Sequence, residues 1–190
     1  MSSEDIVERA KYGPLRAPLD PVSEALETFP YGLYIIGSRG EDGKLNGMMA
    51  DWLMQVAFKP RLLVCSFEND ARTLRYIRAT HVFSVNVLPE HAKDLAAKFA
   101  QPADASKVKG RSEQASAVVY DKLRDVAYST GEETGCPILD EALAWLECAA
   151  EQFVPVGEDH TLVVGRVLGG EVLHLGDPLT QRHLGWSYGG

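Results

Sequence analysis

The chain has 190 residues, 45% hydrophobic and 24% charged, with a formal net charge of -8. That size and balance suit one globular domain, expected to span residues 1–190, with a core that needs no disulfide or metal staples. The acidity excludes a nucleic-acid protein, which needs a broad basic surface, and leaves room only for a small basic pocket. No apolar run is long enough to span a bilayer, and the polar start MSSEDIVERAK is no secretory signal, so a cytoplasmic, non-membrane protein is expected. Cys65, Cys136 and Cys148 are odd in number and form no CxxC pair; reduced thiols and no metal site are expected.

In chain order, Asp20 and Pro21 are suited to a helix start, and Val22, Ala25, Leu26 and Phe29 recur at helical spacing up to Pro30. GLYIIGS is the first expected strand, and RGEDGK a turn around Asp42-Gly43. LNGMMADWLMQVAF, residues 45–58, is expected as one long strand. Met48, Ala50, Trp52, Met54, Val56 and Phe58 then share an apolar face, with Met49, Asp51 and Gln55 opposite. Lys59-Pro60 ends it, and RLLVCSF is the next strand. ENDARTLRYIRAT reads as a helix capped by Asp70 with Leu74 and Ile77 inward. HVFSVNVL is a strand with Phe83, Val85 and Val87 on one face and Ser84 and Asn86 on the other. HAKDLAAKFA is a helix burying Ala92, Leu95, Ala96 and Phe99. Residues 101–135 are polar and expected as a surface excursion with some helix. ALAWLECAAEQFVPV and HTLVVGRVLGGEVLHL are two long strands around the loop GEDH. Short helices among mostly antiparallel strands indicate a β-barrel with helical additions, an α+β fold of mainly β character.

Three features carry chemistry, each beside a plainer alternative. The mixed face of residues 45–58 borders a ligand cleft or simply meets solvent. Arg72-Thr73 lies just inside a helix start, where unpaired N–H groups and a guanidinium fork favour a phosphate, with Ser66 nearby; taken alone, a capped surface helix with solvated arginines is the favoured reading. His160, beside Asp159 at a loop–strand junction, has a carboxylate to set its tautomer, or is a turn histidine. GxGxxG between strand and helix, GxxxxGK[ST] and HExxH are all absent, which removes Rossmann, P-loop and zincin readings.

The order of NGMMADWLMQVAFKPRLLVCSF, ARTLRYI, VFSVNVL, AAKFA, CPILDEALAWLEC and GEDHTLVVGRV resembles the flavin reductase-like family of FMN-binding split barrels. The resemblance covers most of Tyr31 to Val167. It implies an antiparallel split β-barrel, a homodimer, and FMN in a cleft near the subunit interface. Asn46, Gly47, Met48, Met49, Ala50, Asp51 and Trp52 would run beside the isoalloxazine, with Ser66, Phe67, Arg72 and Thr73 near the ribityl chain and phosphate. His160, with Asp159, would meet the nicotinamide of NADH or NADPH. Met49 stands where the family has Thr, Asp51 where Ser or Asn is common, and Lys59-Pro60-Arg61 replaces a double proline. The implied activity is NAD(P)H-dependent flavin reduction, feeding a monooxygenase or electron-transfer partner. The alternative is a non-catalytic FMN-holding electron-transfer protein reduced by a partner; a split barrel holding haem or a deazaflavin is a third.

Overall fold

In a computed structural model, residues 20–101 and 121–184 are described. Seven strands form one antiparallel sheet in the order β2-β1-β5-β8-β9-β4-β3. They are β1 (Tyr34–Arg39), β2 (Leu45–Ala50), β3 (Leu53–Phe58), β4 (Arg61–Glu68), β5 (Val82–Val87), β8 (Ala144–Val156) and β9 (His160–Val172). A separate hairpin pairs β6 (Tyr128–Thr130) with β7 (Pro137–Leu139). The helices among the described residues are α1 (Pro21–Leu26), α2 (Arg72–Thr80), α3 (Lys93–Ala100) and α4 (Gln181–Leu184). None of the helices among the described residues is long and apolar enough to cross a membrane.

The sheet's two edges, β2 and β3, are consecutive in the chain and are separated only by Asp51 and Trp52. Three peptide steps reach about 10 Å, so the sheet must curl until its edges nearly meet. The edges do not pair, which makes the architecture a split barrel.

The expected single strand over 45–58 is therefore two strands on opposite edges. The reason is the corner at Asp51-Trp52, where the chain leaves one ladder and joins another. Parity is lost with it. Ala50 is buried and Met48 packs on the barrel core, but Met54, Val56 and Phe58 are 61%, 47% and 82% exposed. The core expected along that whole face is confined to β2.

Two apolar clusters lie on either side of β1 and β2. The barrel interior contains Ile36, Cys65, Phe67, Phe83, Val85 and Val163, closed by Leu74 and Ile77 from α2. The second cluster packs Ile35, Leu139 and Leu179 against Ala96 and Phe99 of α3. Strand alternation explains the division, since even positions of β1 face one cluster and odd positions the other. The inward Leu74 and Ile77, and the helical Ala96 and Phe99, match the periodicity of their segments. The N-cap position of α2, however, falls on Ala71 and not on Asp70.

The segment after residue 120 is also more structured than a surface excursion. Residues 102–120 lie outside the described residues, but Leu123, Thr134 and Cys136 are buried. The polar face of β5 holds this region down. Ser84 Oγ donates to Pro137 O at 2.5 Å, and Asn86 Nδ2 donates to Ile35 O at 3.1 Å and to Pro137 O at 3.3 Å. Leu139 N donates to Asn86 Oδ1 at 2.8 Å. The carboxylate of Glu147, 1% exposed, accepts from Thr134 N at 2.8 Å and Thr134 Oγ1 at 2.6 Å. Cys65, Cys136 and Cys148 are free and buried.

Asn86→Leu strands a buried N–H at Leu139 and removes a donor from two carbonyls. Each stranded group costs about 1–3 kcal/mol, so unfolding free energy should fall by roughly 2–4 kcal/mol. Urea titration should show a lower midpoint at an unchanged m-value.

Candidate functional site

The corner between the sheet's edges gathers much of what the sequence singled out. Ser66 N on β4 donates to Trp52 O at 3.0 Å, fixing the corner against β4. The Trp52 ring lies 5.3 Å from the His160 ring, tilted by 42°. His160 opens β9 opposite Glu68 of β4, and its Nδ1 is 3.0 Å from Asp159 Oδ1. The imidazole is 16% exposed and the carboxylate 81%, so Asp159 holds the ring from the solvent side. The hydrogen bond to His160, reinforced by its charge when protonated, lowers the Asp159 pKa below its ordinary value.

Asn69, which sequence reasoning passed over, secures this hairpin tip. Its backbone N–H donates to Asp159 O at 2.8 Å and its amide to Glu158 O at 3.2 Å. Thr161 Oγ1 donates to Asn69 Oδ1 at 2.7 Å and accepts from Arg78 Nη2 at 3.1 Å. Gly157 makes the turn at φ 58, a left-handed conformation that suits glycine. His160 is thus held from the β8–β9 turn, from α2 and from the segment before α2.

Asp51 is half-buried at the same corner, where Gln181 Nε2 of α4 donates to its Oδ2 at 3.0 Å. Burial is the main effect on this carboxyl and raises its pKa, partly opposed by the N–H groups of Asp51 and Trp52. Gln181 lay in a tail whose pattern gave no hint of this contact.

A second group forms at the other end of β2, separated from Asp51 by about 16 Å of strand. Asn46, 7% exposed, donates from Nδ2 to Thr73 Oγ1 at 2.9 Å, tying β2 to the first turn of α2. The link brings Asn46 and Arg72 onto the wall of a cavity of 490 Å³. Lys44, Lys122 and Arg124 add three more cations to its lining, and Asp121 a single carboxylate. Tyr76 and Tyr128 complete two sides.

The remaining candidates serve mainly to build the strand. A Cβ on Gly47 would lie 2.3 Å from the Phe99 ring, so glycine lets β2 pass under α3. Met48 and Ala50 pack on the barrel core, whereas Met49 packs on the second cluster beneath α3. The Phe67 ring is 1% exposed within the barrel. Among the described residues there is no cluster of metal-ligating side chains. Lys122 and Arg124 escaped sequence reasoning because they sit in a polar stretch with weak periodicity. Nothing local marks a lysine for burial.

Asp51 provides a pH-dependent test. Because its folded-state pKa is raised, the folded protein holds this proton more tightly than the unfolded chain. Stability therefore falls as pH rises from the ordinary carboxylate value through the raised one. Asp51→Asn should be more stable than wild type at about pH 7, and the gap should close near about pH 3. Urea midpoints at the two pH values check both statements.

With this geometry in place, the relatives are informative. The flavin reductase like domain model matches residues 26–185. The reductase subunit Stc3 of stachydrine N-demethylase from Rhizobium meliloti is 29% identical over 144 residues, covering 76% of this chain and 55% of that protein. The flavin reductase (NADH) of Kitasatospora aureofaciens is 29% identical over 167 residues, covering 83% of this chain and 78% of that one. The solved NADH:FAD oxidoreductase of Streptomyces globisporus C-1027 superposes with a TM-score of 0.66 at 26% identity, over 84% of this chain and 89% of the other. The chain spans only 40–55% of the length of its Rhizobium meliloti relatives. The split barrel, the motif order along it and the match over 26–185 make this chain a member of the flavin reductase-like family.

Proposed function

We propose that this protein is an NAD(P)H-dependent flavin reductase that binds FMN, or the FMN portion of a larger flavin, and passes hydride from nicotinamide to flavin N5. The observation that carries the proposal is the pairing of two sites at opposite ends of β2. One is a cationic cavity beside Asn46 and Arg72; the other is a histidine fixed against Trp52. The names of the relatives support the same reaction.

The donors fit a flavin. The Arg72 guanidinium presents a fork matched to phosphate oxygens, and Thr73 holds Asn46 in register behind it. The backbone of Asn46, Gly47, Met48, Met49, Ala50, Asp51 and Trp52 would border the ring system, with Ser66 and Phe67 of β4 beyond. Bound flavin would supply the redox chemistry, and the chain's part is to bind, orient and exclude water. His160, with Nδ1 engaged by Asp159, would orient the nicotinamide through its other nitrogen. No covalent nucleophile is called for.

A monooxygenase partner is part of the proposal, because a relative from Acinetobacter baylyi is named as the reductase component of a flavin-dependent trigonelline monooxygenase. So is a homodimer: β3 is an edge strand carrying Met54, Val56 and Phe58 outward, the kind of apolar edge that another chain covers. The three buried free thiols accord with a reducing compartment such as the cytoplasm.

Steady-state oxidation of NADH and NADPH with added FMN tests the core of this proposal. Nucleotide consumption above a no-protein control is expected, and its absence with flavin still bound would favour a non-catalytic electron-transfer module. Arg72→Ala should weaken FMN about tenfold while changing riboflavin, which lacks the phosphate, much less. His160→Ala should slow reduction and leave flavin affinity within about threefold. Phe58→Asp should move the protein from dimer to monomer in sedimentation velocity; an unchanged dimer would place the interface elsewhere.

A further inference from the structure

The cavity beside Arg72 is larger and more varied than one phosphate requires. Its 490 Å³ would hold roughly sixteen waters at about 30 Å³ each, in the range of small-molecule pockets. A single phosphate group fills a small part of that. The cations also stand on different walls: Lys44 before β2, Arg72 on α2, Lys122 and Arg124 in the turn before β6. Lys44 is paired with Asp42 at 3.1 Å; in a chain of net charge -8, the other three cations beside the one lining carboxylate mark an anion site.

Lys122 is 5% exposed. Among the described residues its ammonium makes one hydrogen bond, to Phe99 O at 2.8 Å at the end of α3. An ammonium has three donors, so that bond leaves capacity toward the cavity. The Arg124 guanidinium makes no hydrogen bond or ion pair among the described residues, and its backbone carbonyl is held by Lys98 Nζ. Tyr76 and Tyr128, on separate elements, add aromatic faces on which a base can stack.

We propose that this cavity holds the adenosine diphosphate end of a dinucleotide, with Lys122 and Arg124 contacting a second phosphate beyond the one assigned to Arg72. The assignment rests on the reductase reading only for where the first phosphate lies. FAD and NAD(P)H both carry this group.

Lys122 supplies a signature that a purely structural lysine lacks. Burial, together with the charge of Arg72, lowers its pKa to about 8. The other groups facing the cavity are Tyr76 on α2, Lys44 from the turn before β2, Asp121 and Arg124 from its own turn, and Tyr128 on β6. Affinity for a diphosphate should therefore fall as pH rises through about 8, because the neutral amine no longer offers a charge.

The probe is ADP, titrated calorimetrically into the full chain without flavin. Binding is expected, weakened about tenfold by Arg124→Gln, an exposed substitution that leaves the fold intact. Lys122→Arg should remove the fall in affinity above about pH 8 while keeping the binding. Two further arms identify the source. If Arg124→Gln weakens FAD but not FMN, the group belongs to the flavin; if it raises KM for NADH with flavin affinity unchanged, it belongs to the nicotinamide nucleotide. A working reductase that shows no ADP binding, or whose ADP affinity ignores Arg124→Gln, overturns this proposal alone. A protein that binds ADP as described yet never oxidises NADH overturns the reductase reading alone.

Discussion

The fold depends on a short tether. Asp51 and Trp52 are all that separates one edge of the seven-stranded sheet from the other. An open twisted sheet of this size would hold its edge strands far apart, so a link of about 10 Å forces the curl. Closure is incomplete because β2 and β3 never pair, and the gap at the corner is where polar groups collect. Asp51, Trp52, Ser66 and His160 meet there because the backbone must turn there, out of register with either ladder. An unpaired corner in a barrel is a natural place for a ligand, since backbone donors and acceptors stay available beside an apolar wall.

Rigidity at that corner comes from elements distant in sequence. Asn69 ties the β8–β9 turn to the start of α2 by three hydrogen bonds, and Arg78 reaches the same Thr161 from further along the helix. Gln181 closes on Asp51 from the far end of the chain. Asn46 and Thr73 join β2 to α2 at the other end. These are polar contacts between pieces that apolar packing already brings close. Packing sets the distance, and hydrogen bonds set the orientation that a reacting group needs.

Much of this was legible in the sequence where a segment's period and its surroundings agreed. Strand alternation in β5 and the inward positions of α2 and α3 could be read directly, because both depend on neighbours a few residues away. The motif order from Asn46 to Val167 conveyed the barrel and the His160–Asp159 pair. The continuous strand over 45–58 was misread because nothing in its alternation records which edge a strand will join; Met54 and Phe58 look like core until topology puts them outside. Asp70 resembles a cap by residue type, yet the helix starts one residue later than such a cap would require. Lys122 was invisible for a related reason. Its burial depends on Phe99, a contact spanning more than twenty positions, and on the approach of α2.

The charge distribution links the two ends of β2. A protein this acidic repels anionic nucleotides over most of its surface, so a cationic cavity gains in contrast what the whole molecule lacks in attraction. At the corner the sign reverses. Asp51 brings a carboxyl to the end of β2 remote from the cavity, in an environment that disfavours its charge. A ligand laid along β2 with its phosphate toward Arg72 avoids that carboxylate, whereas the opposite orientation would bring like charges together at half-buried depth. On the proposed reading, the single strand carries a polarity that would favour one direction of binding. On that reading Asp51 would act as a determinant of orientation, with its repulsion directed only at the wrong pose.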